Sequence, residues 1–363
     1  MKIRSKYTLI LLLFAMWIQT TGYTQKIHKQ ELQSTIASQV TKGFNGVVLV
    51  AKNSQPVLYK AYGYRTYADK KPLKKNDIFE LASISKQFTA AIILILQQQG
   101  KLNIDDPLEK YVLLPYKGIT IEHLLTHTSG LPDYHETMDK YWDKSKVAGN
   151  EDCIEYLNRY APPKLFEPGV KYAYSNTGYL LLATIAERAS GRDFIDLCDE
   201  YIFQKLAMKS FAIRTPAEKL ELPRLAVGHI KTENGYIAAD SFPSSNYTIW
   251  LGNRKGPGRV SGNARDLLKW DRALYINNIL DATSKESAFS PATLSDGSRI
   301  NYGYGWAVDT TSPAGRKVYH TGDNPGYKNI IIRLYDHHYT IIILSNNAYD
   351  VSSLAAEIEN LIR

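Results

Sequence analysis

The chain has 363 residues, with 44 Lys and Arg against 36 Asp and Glu, a formal net charge of +8 and two cysteines. Charges of both signs are interspersed, which reads as a solvated surface and argues against a nucleic-acid partner, and two cysteines do not make a disulfide framework. No low-complexity linker, Pro/Ser-rich stretch or internal repeat divides the sequence, so length and composition point to one compact domain.

In chain order, Lys2, Arg4 and Lys6 precede the apolar run Thr8–Ile18, and the polar, small-residue stretch Gln19–Gln25 follows. That order is the pattern of a secretory signal, and the run is shorter than the ~20 residues of a comfortable membrane span. No cysteine follows it to carry a lipid. Residues 1–25 are therefore expected to be a signal peptide, and residues 26–363 an exported domain, periplasmic or secreted, with no stable membrane span after cleavage and a net charge of +5. Helical periodicity follows over Lys26–Thr41, then two strand patterns, Gly46–Ala51 and Val57–Tyr62, flank a polar turn as a hairpin. Helices are predicted over Phe88–Gln99, Ile121–Leu125, Tyr179–Arg188 and Ala264–Leu274. A strand is predicted at Lys317–Tyr319, a second hairpin joins Asn329–Tyr335 to Tyr339–Ser345, and a last helix covers Ser352–Ile362. Periodicity alone gives a mixed α and β fold.

Three motifs carry chemistry. Ser83-Ile84-Ser85-Lys86 places a serine one helical turn ahead of a lysine, so the Lys86 amine, once deprotonated, lies beside the Ser83 hydroxyl and can take its proton. Ser85 adjoins Lys86 in sequence but points elsewhere. Tyr174-Ser175-Asn176 follows the turn signal Glu167-Pro168-Gly169: its phenol can relay a proton, and its amide can hold both a lysine and a substrate carbonyl. The plainer reading of the same residues is a packed Tyr and an Asn serving as a helix N-cap. His320-Thr321-Gly322 closes a strand ahead of the turn Asp323–Gly326, where a substrate can lie alongside as an extra β-partner and Gly permits close backbone approach. Other candidates read blandly. His123 and His127 stand four apart, but the Glu of H-E-x-x-H is missing, so no metal site is expected. Cys153 and Cys198 are expected as free or buried thiols, and the tyrosines around Tyr62–Tyr67 and Tyr302–Tyr304 as packing and cleft walls.

Together and in this order, the three motifs resemble the serine β-lactamase and penicillin-binding-protein superfamily, in its class C β-lactamase-like branch. Gly100–Pro107, Leu124–Pro132 and Asp266–Trp270 extend the resemblance over nearly the whole mature chain. The resemblance implies an α/β (α+β) β-lactamase/transpeptidase-like fold. One antiparallel sheet from both chain ends, about 26–80 and 258–363, would be flanked by helices, with a mainly helical lobe, about 81–257, inserted and the active site at the seam. It implies a serine hydrolase with no cofactor and a small-molecule or peptide substrate, peptidoglycan among the candidates. Ser83 would be the nucleophile, with Lys86 and Tyr174 moving its proton; Asn176, His320, Thr321 and Gly322 would bind substrate, and the backbone N–H groups of Ser83 and Asp323 would form the oxyanion hole.

Lys and Tyr ordinarily hold their protons at neutral pH, with pKa values of about 10.4 and about 10, so one of the two needs a depressed value to act as base. His320 stands where the best-known β-lactamases carry lysine. An imidazole with an ordinary pKa of about 6.5 is a less assured cation for a substrate carboxylate. In the resembling family His-Thr-Gly is found among D,D-carboxypeptidases, D-amino-acid peptidases and esterases, so the resemblance implies slow β-lactam turnover and D-amino-acid peptides, amides or esters as substrates. A dedicated carboxylesterase and a covalent sensor or peptidoglycan-binding module that acylates without turnover are the alternatives.

Overall fold

The computed structural model describes residues 29–242 and 246–362. The predicted signal segment lies outside the described residues. Among the described residues, no helix is long and apolar enough to cross a membrane.

The main sheet has six antiparallel strands: β1 (Gly46–Lys52), β2 (Gln55–Tyr62), β3 (Ala307–Asp309), β4 (Lys317–Asn324), β5 (Tyr327–Leu334) and β6 (Tyr339–Ser345). Their order is β3-β4-β5-β6-β1-β2, so the two chain ends meet where β6 pairs with β1, from Gly46 opposite Ser345 to Lys52 opposite Tyr339. The resemblance led to this sheet. Gly46-Val47-Val48-Leu49-Val50-Ala51 is continuously apolar because β1 is buried on both faces. Val48, Val50, Ile330, Ile332, Ile341 and Ile343 pack under the two terminal helices, α1 (residues 29–41) and α5 (Val351–Ile362). Val47, Leu49, Ile331, Ile342 and Leu344 face the larger core.

That larger core is built on α2 (Lys86–Gln98), in which every residue from Lys86 to Leu96 is buried. A helix apolar all round belongs inside a protein. Against it pack α3 (Asn176–Ser190) and α4 (Ala264–Tyr275), whose Trp270 Nε1 donates to Gln87 Oε1 at 3.0 Å. α3 starts three residues earlier than its apolar pattern because Ser175 caps it, accepting from the Gly178 N–H at 3.1 Å. Asn176 is therefore not the N-cap, and its amide is left for other partners. The strand carrying His320-Thr321-Gly322 also differs from expectation. It continues through Asp323 and Asn324, and the turn reduces to Pro325-Gly326, because the pairing with β5 runs on to Asn324 opposite Tyr327.

A buried ion pair ties α4 to the sheet. Arg333 Nε lies 2.6 Å from Asp271 Oδ1 with both side chains fully buried, and the Thr340 hydroxyl donates to Asp271 Oδ2 at 2.7 Å. Arg333 also sits over the rings of Tyr275 and Phe289 at 4.4 and 5.0 Å. Replacing one partner leaves the other charged and unpaired in the interior. Asp271→Ala is expected to destabilise the fold by about 3–5 kcal/mol, read as a lower urea midpoint at unchanged slope.

Candidate active site

Ser83, the candidate nucleophile, sits on a strained turn. A short strand at Phe79–Glu80 leads into a 3-10 turn, Ala82–Ser85, which runs directly into α2. Ala82 has φ +50°, a left-handed conformation that costs an alanine roughly 1–3 kcal/mol. Ser83 is the one partly exposed residue of this turn. Ser85 faces the opposite way and accepts from the Val260 N–H at 3.1 Å.

Lys86 is fully buried, and its Nζ has three partners: Ser83 Oγ at 3.1 Å, Asn176 Oδ1 at 2.8 Å and the Pro257 carbonyl at 2.9 Å. The last two are amide oxygens that only accept. A neutral amine has two N–H donors and one lone pair, so donating to both amides turns its lone pair toward Ser83. Burial, reinforced by the Arg254 guanidinium and opposed by Asp133, holds the Lys86 ammonium well below its ordinary value. Tyr174, 43 % exposed, places its ring 4.8 Å from Lys86 Nζ. Burial pushes its phenol up, with hydrogen bonding from Ser83 acting in the other direction. The two shifts run in opposite directions, toward a neutral amine at Lys86 and a protonated phenol at Tyr174.

His127 positions the Tyr174 segment. Its Nδ1 accepts from the Ser175 N–H at 3.0 Å, its carbonyl accepts from the Ala173 N–H at 3.0 Å, and its ring lies 4.3 Å from that of Tyr174. It sits at φ +60°, and burial, Lys86 and His320 hold it well below the ordinary histidine value. His123 instead caps its own helix, accepting from the Thr120 N–H at 3.2 Å. Among the described residues, no group of three or more His, Cys, Asp or Glu is placed to hold a metal ion. Cys153 and Cys198 are buried free thiols.

On the other wall, β4 passes the nucleophile at close range. A Cβ on Gly322 would lie 2.1 Å from the Leu81 carbonyl oxygen, so this glycine lets the strand approach the serine turn itself. Asn324 Nδ2 donates to Glu80 Oε2 at 3.1 Å and Asn329 Nδ2 to the Glu80 carbonyl at 2.8 Å, fixing the β4–β5 hairpin against that turn. β3 pairs with β4 only from Lys317 to Tyr319, so among the described residues no strand pairs with this edge from His320 to Asn324.

Two clefts meet at this edge. The first, of about 430 Å³, is lined by Tyr172, Tyr174, Tyr302, Tyr319, His320 and Thr321 among others. The second, of about 150 Å³, is lined by Ser83 with Asn176, Tyr247, Arg254 and Asp323 among others. All eight residues selected from the sequence thus lie at one seam, but His320 is not available in the manner expected. It is buried, its Nδ1 lies 2.6 Å from the Thr321 carbonyl, and its Nε2 lies 2.9 Å from the Tyr302 hydroxyl. A carbonyl only accepts, so Nδ1 carries the proton and Nε2 accepts from Tyr302. Burial, with Lys86 nearby, pushes the imidazole down to about 3. His320 is a neutral wall of the first cleft with both nitrogens occupied. Tyr302 completes that arrangement; sequence reading placed it among cleft walls without this bond. Arg254 lies in the polar loop before Gly258, which carries no motif.

A Beta-lactamase family model matches residues 32–362. The chain is 39% identical over 329 residues to penicillin-binding protein 4* of Bacillus subtilis (strain 168), covering 89% of this chain and 72% of that relative. It is 26% identical over 328 residues to a D-aminopeptidase of Brucella anthropi, covering 88% of this chain and 59% of that enzyme. A penicillin-binding protein from Bacillus halodurans superposes with TM-score 0.78 at 26% identity, covering 91% of this chain and 98% of that one. The D-amino acid amidase of Ochrobactrum anthropi SV3 shares the fold, with TM-score 0.75 at 22% identity over 92% of this chain and 98% of that one. The chain belongs to the Beta-lactamase family of serine hydrolases, the superfamily shared with penicillin-binding proteins.

Two measurements test the site's geometry. Gly322→Ala forces β4 and the serine turn apart, and is expected to cost about 1–3 kcal/mol in stability and to slow acylation of Ser83 in stopped-flow traces. His320 is expected to keep the NMR shifts of a neutral Nδ1–H imidazole from pH 8 to pH 5. The unfolded chain takes up this proton near 6.5 and the folded site not until about 3, so the stability His320 contributes is complete above 6.5 and is lost as pH falls toward 3.

Proposed function

We propose that this Beta-lactamase-family hydrolase is exported and works through an acyl-Ser83 intermediate on D-amino-acid peptides of cell-wall type and related amides and esters, turning over β-lactams only slowly. The observation that carries the reading is the buried Lys86 Nζ, placed within hydrogen-bond distance of Ser83 Oγ and of two amide oxygens, where burial holds its ammonium well below the ordinary lysine value. Lys86 takes the Ser83 proton as Oγ adds to the substrate carbonyl. The resulting oxyanion lies at the N–H groups of Ser83 and Asp323, and Asn176 steadies both Lys86 and the substrate amide. As the tetrahedral intermediate collapses, Tyr174 gives its proton to the departing nitrogen or oxygen and recovers one from the Lys86 ammonium. Water then attacks the acyl-enzyme with the same pair acting in reverse.

The substrate preference rests on the first cleft. Its wall is aromatic and His320 is neutral there, so a leaving-group carboxylate, whether of a penicillin or of a peptide's C-terminal residue, meets no fixed cation from this residue, which favours amides and esters whose leaving group carries none. Similarity to penicillin-binding protein 4* and a D-aminopeptidase supports D-configured peptide chemistry. Export rests on the pattern of residues 1–25. A dedicated carboxylesterase is the second reading, favoured by the same neutral, aromatic cleft.

Intact mass spectrometry with a β-lactam, a D-alanyl peptide and a p-nitrophenyl ester separates these readings. The expected result is turnover of peptide and ester, with a β-lactam adduct on Ser83 that decays slowly. Ester turnover with no peptide cleavage would establish the esterase, and adducts that persist with no turnover at all would establish a sensor. Ser83→Ala is expected to abolish every adduct, Ser85→Ala to retain labelling, and Tyr174→Phe to slow turnover by about 10²–10⁴-fold.

A further inference from the structure

Arg254 is a buried cation that forms no ion pair among the described residues. It is 6 % exposed, it lines the 150 Å³ cleft that also contains Ser83, and its guanidinium forms no ion pair or hydrogen bond with any described residue. Its Nη1 is buried without a partner. The ring of Tyr247 lies 5.6 Å from its Cζ, and Asp133, with which it forms no ion pair, opposes its charge only at a distance, at Lys86, Tyr134 and His135. The next residue in the chain is treated differently: Lys255 Nζ pairs with Glu187, and with Asp193 at 2.8 Å. A buried guanidinium left unpaired is costly, and in a cleft that holds the nucleophile the missing partner has an obvious source in the ligand.

The backbone that carries Arg254 is fixed. The Asn253 N–H donates to the Ala148 carbonyl at 3.1 Å, the Lys255 N–H to Asn150 Oδ1 at 2.7 Å, and the Arg254 N–H to the Leu251 carbonyl at 3.3 Å. Its place relative to Ser83 is thereby set before substrate arrives. The one carboxylate among the residues lining this cleft, Asp323, has a side chain 69 % exposed and 3.4 Å from Lys328, so it does not neutralise Arg254. His135, on the same wall, is held below the ordinary histidine value by burial and adds no charge near neutral pH.

The side of the scissile bond that Arg254 faces follows from Tyr174. The leaving group takes its proton from that phenol and departs into the cleft that Tyr174 lines, so the acyl part remains on the side of Ser83, Asn176 and Asp323. We propose that Arg254 is a specificity-determining residue that pairs with a carboxylate on the acyl portion of the substrate, selecting acyl groups that carry a negative charge close to the reacting carbonyl. The inference rests on the acyl-Ser83 reading above. It assigns the electrostatic preference to the acyl side, opposite to the carboxylate that β-lactams present on the leaving-group side.

Arg254 also acts on Lys86 through space, so a simple loss of activity would not separate recognition from base tuning. The test is a ratio: kcat/KM for mono-p-nitrophenyl glutarate against p-nitrophenyl pentanoate, each corrected for spontaneous hydrolysis, in wild type, Arg254→Gln and Arg254→Lys. Wild type is expected to prefer the glutarate ester. Arg254→Gln is expected to lower the ratio about tenfold or more and Arg254→Lys to restore part of it, the change lying mainly in KM. Equal losses on both esters, or a wild type indifferent to the carboxylate, would overturn the inference and leave Arg254 acting only on Lys86. Ser83→Ala hydrolysing both esters like wild type would overturn the acyl-serine reading itself, and the inference with it.

Discussion

The proposed chemistry at this site depends on burying a lysine so that its ammonium is held well below its ordinary pKa. Lys86 enters the core at the first position of a helix that is buried all round, and none of its three hydrogen-bond partners is a carboxylate, Asp133 acting on it only through space. An ammonium in that place would need an anion, whereas an amine needs two acceptors and something to accept from. The side-chain amide oxygen of Asn176, the Pro257 carbonyl and the Ser83 hydroxyl meet those needs one for one. Desolvation, usually a penalty on a buried lysine, is here what makes the base.

The fold supplies the three partners from distant parts of the chain. Ser83 comes with the helix itself, Asn176 from the start of α3 and Pro257 from the loop ahead of Val260. Their convergence requires the helical part and the sheet to be held in register, which Arg333 and Asp271 do on one side of the core and Asn324, Asn329 and Glu80 do beside the nucleophile. The strain at Ala82 and the missing side chain at Gly322 belong to the same requirement: the serine turn is pressed between a helix start and a strand edge, and both backbones must come closer than ordinary side chains permit.

How much of this was legible in the sequence follows the range of the interactions. The Ser83–Lys86 pair is a three-residue spacing on a helical turn, so it could be read directly, as could the opposite orientation of Ser85. The core strands were legible because β1 and β6 are nearly continuous runs of β-branched and aliphatic residues and β5 carries the run Ile330–Ile332 at its centre. Where the sheet's two halves join, and that the three motifs face one seam, came from the family resemblance, since pairings between residues 46–52 and 339–345 leave no local signal. The state of His320 leaves no local signal either, for the same reason. Its protonation state is decided by a neighbouring carbonyl and by Tyr302, eighteen residues away in sequence. Arg254 was invisible because a basic residue in a polar loop normally points to water. Only the packing of that loop against Ala148 and Asn150 turns it inward.

The two clefts then acquire opposite characters from a few substitutable residues on a common scaffold. On the Tyr174 side, a neutral imidazole with both nitrogens engaged and a wall of tyrosine rings favour leaving groups that need no cation. On the Ser83 side, a buried guanidinium raises the potential where the acyl group sits and also helps to keep Lys86 deprotonated. An anion bound there would withdraw part of that help. Arg254 at once favours the neutral base and attracts a charge that opposes it, so substrate selection and base strength in this enzyme are coupled through one side chain. The coupling sets a limit: a more tightly paired acyl carboxylate restores basicity to Lys86 but also makes its ammonium easier to keep, slowing the return of the proton through Tyr174 to the leaving group.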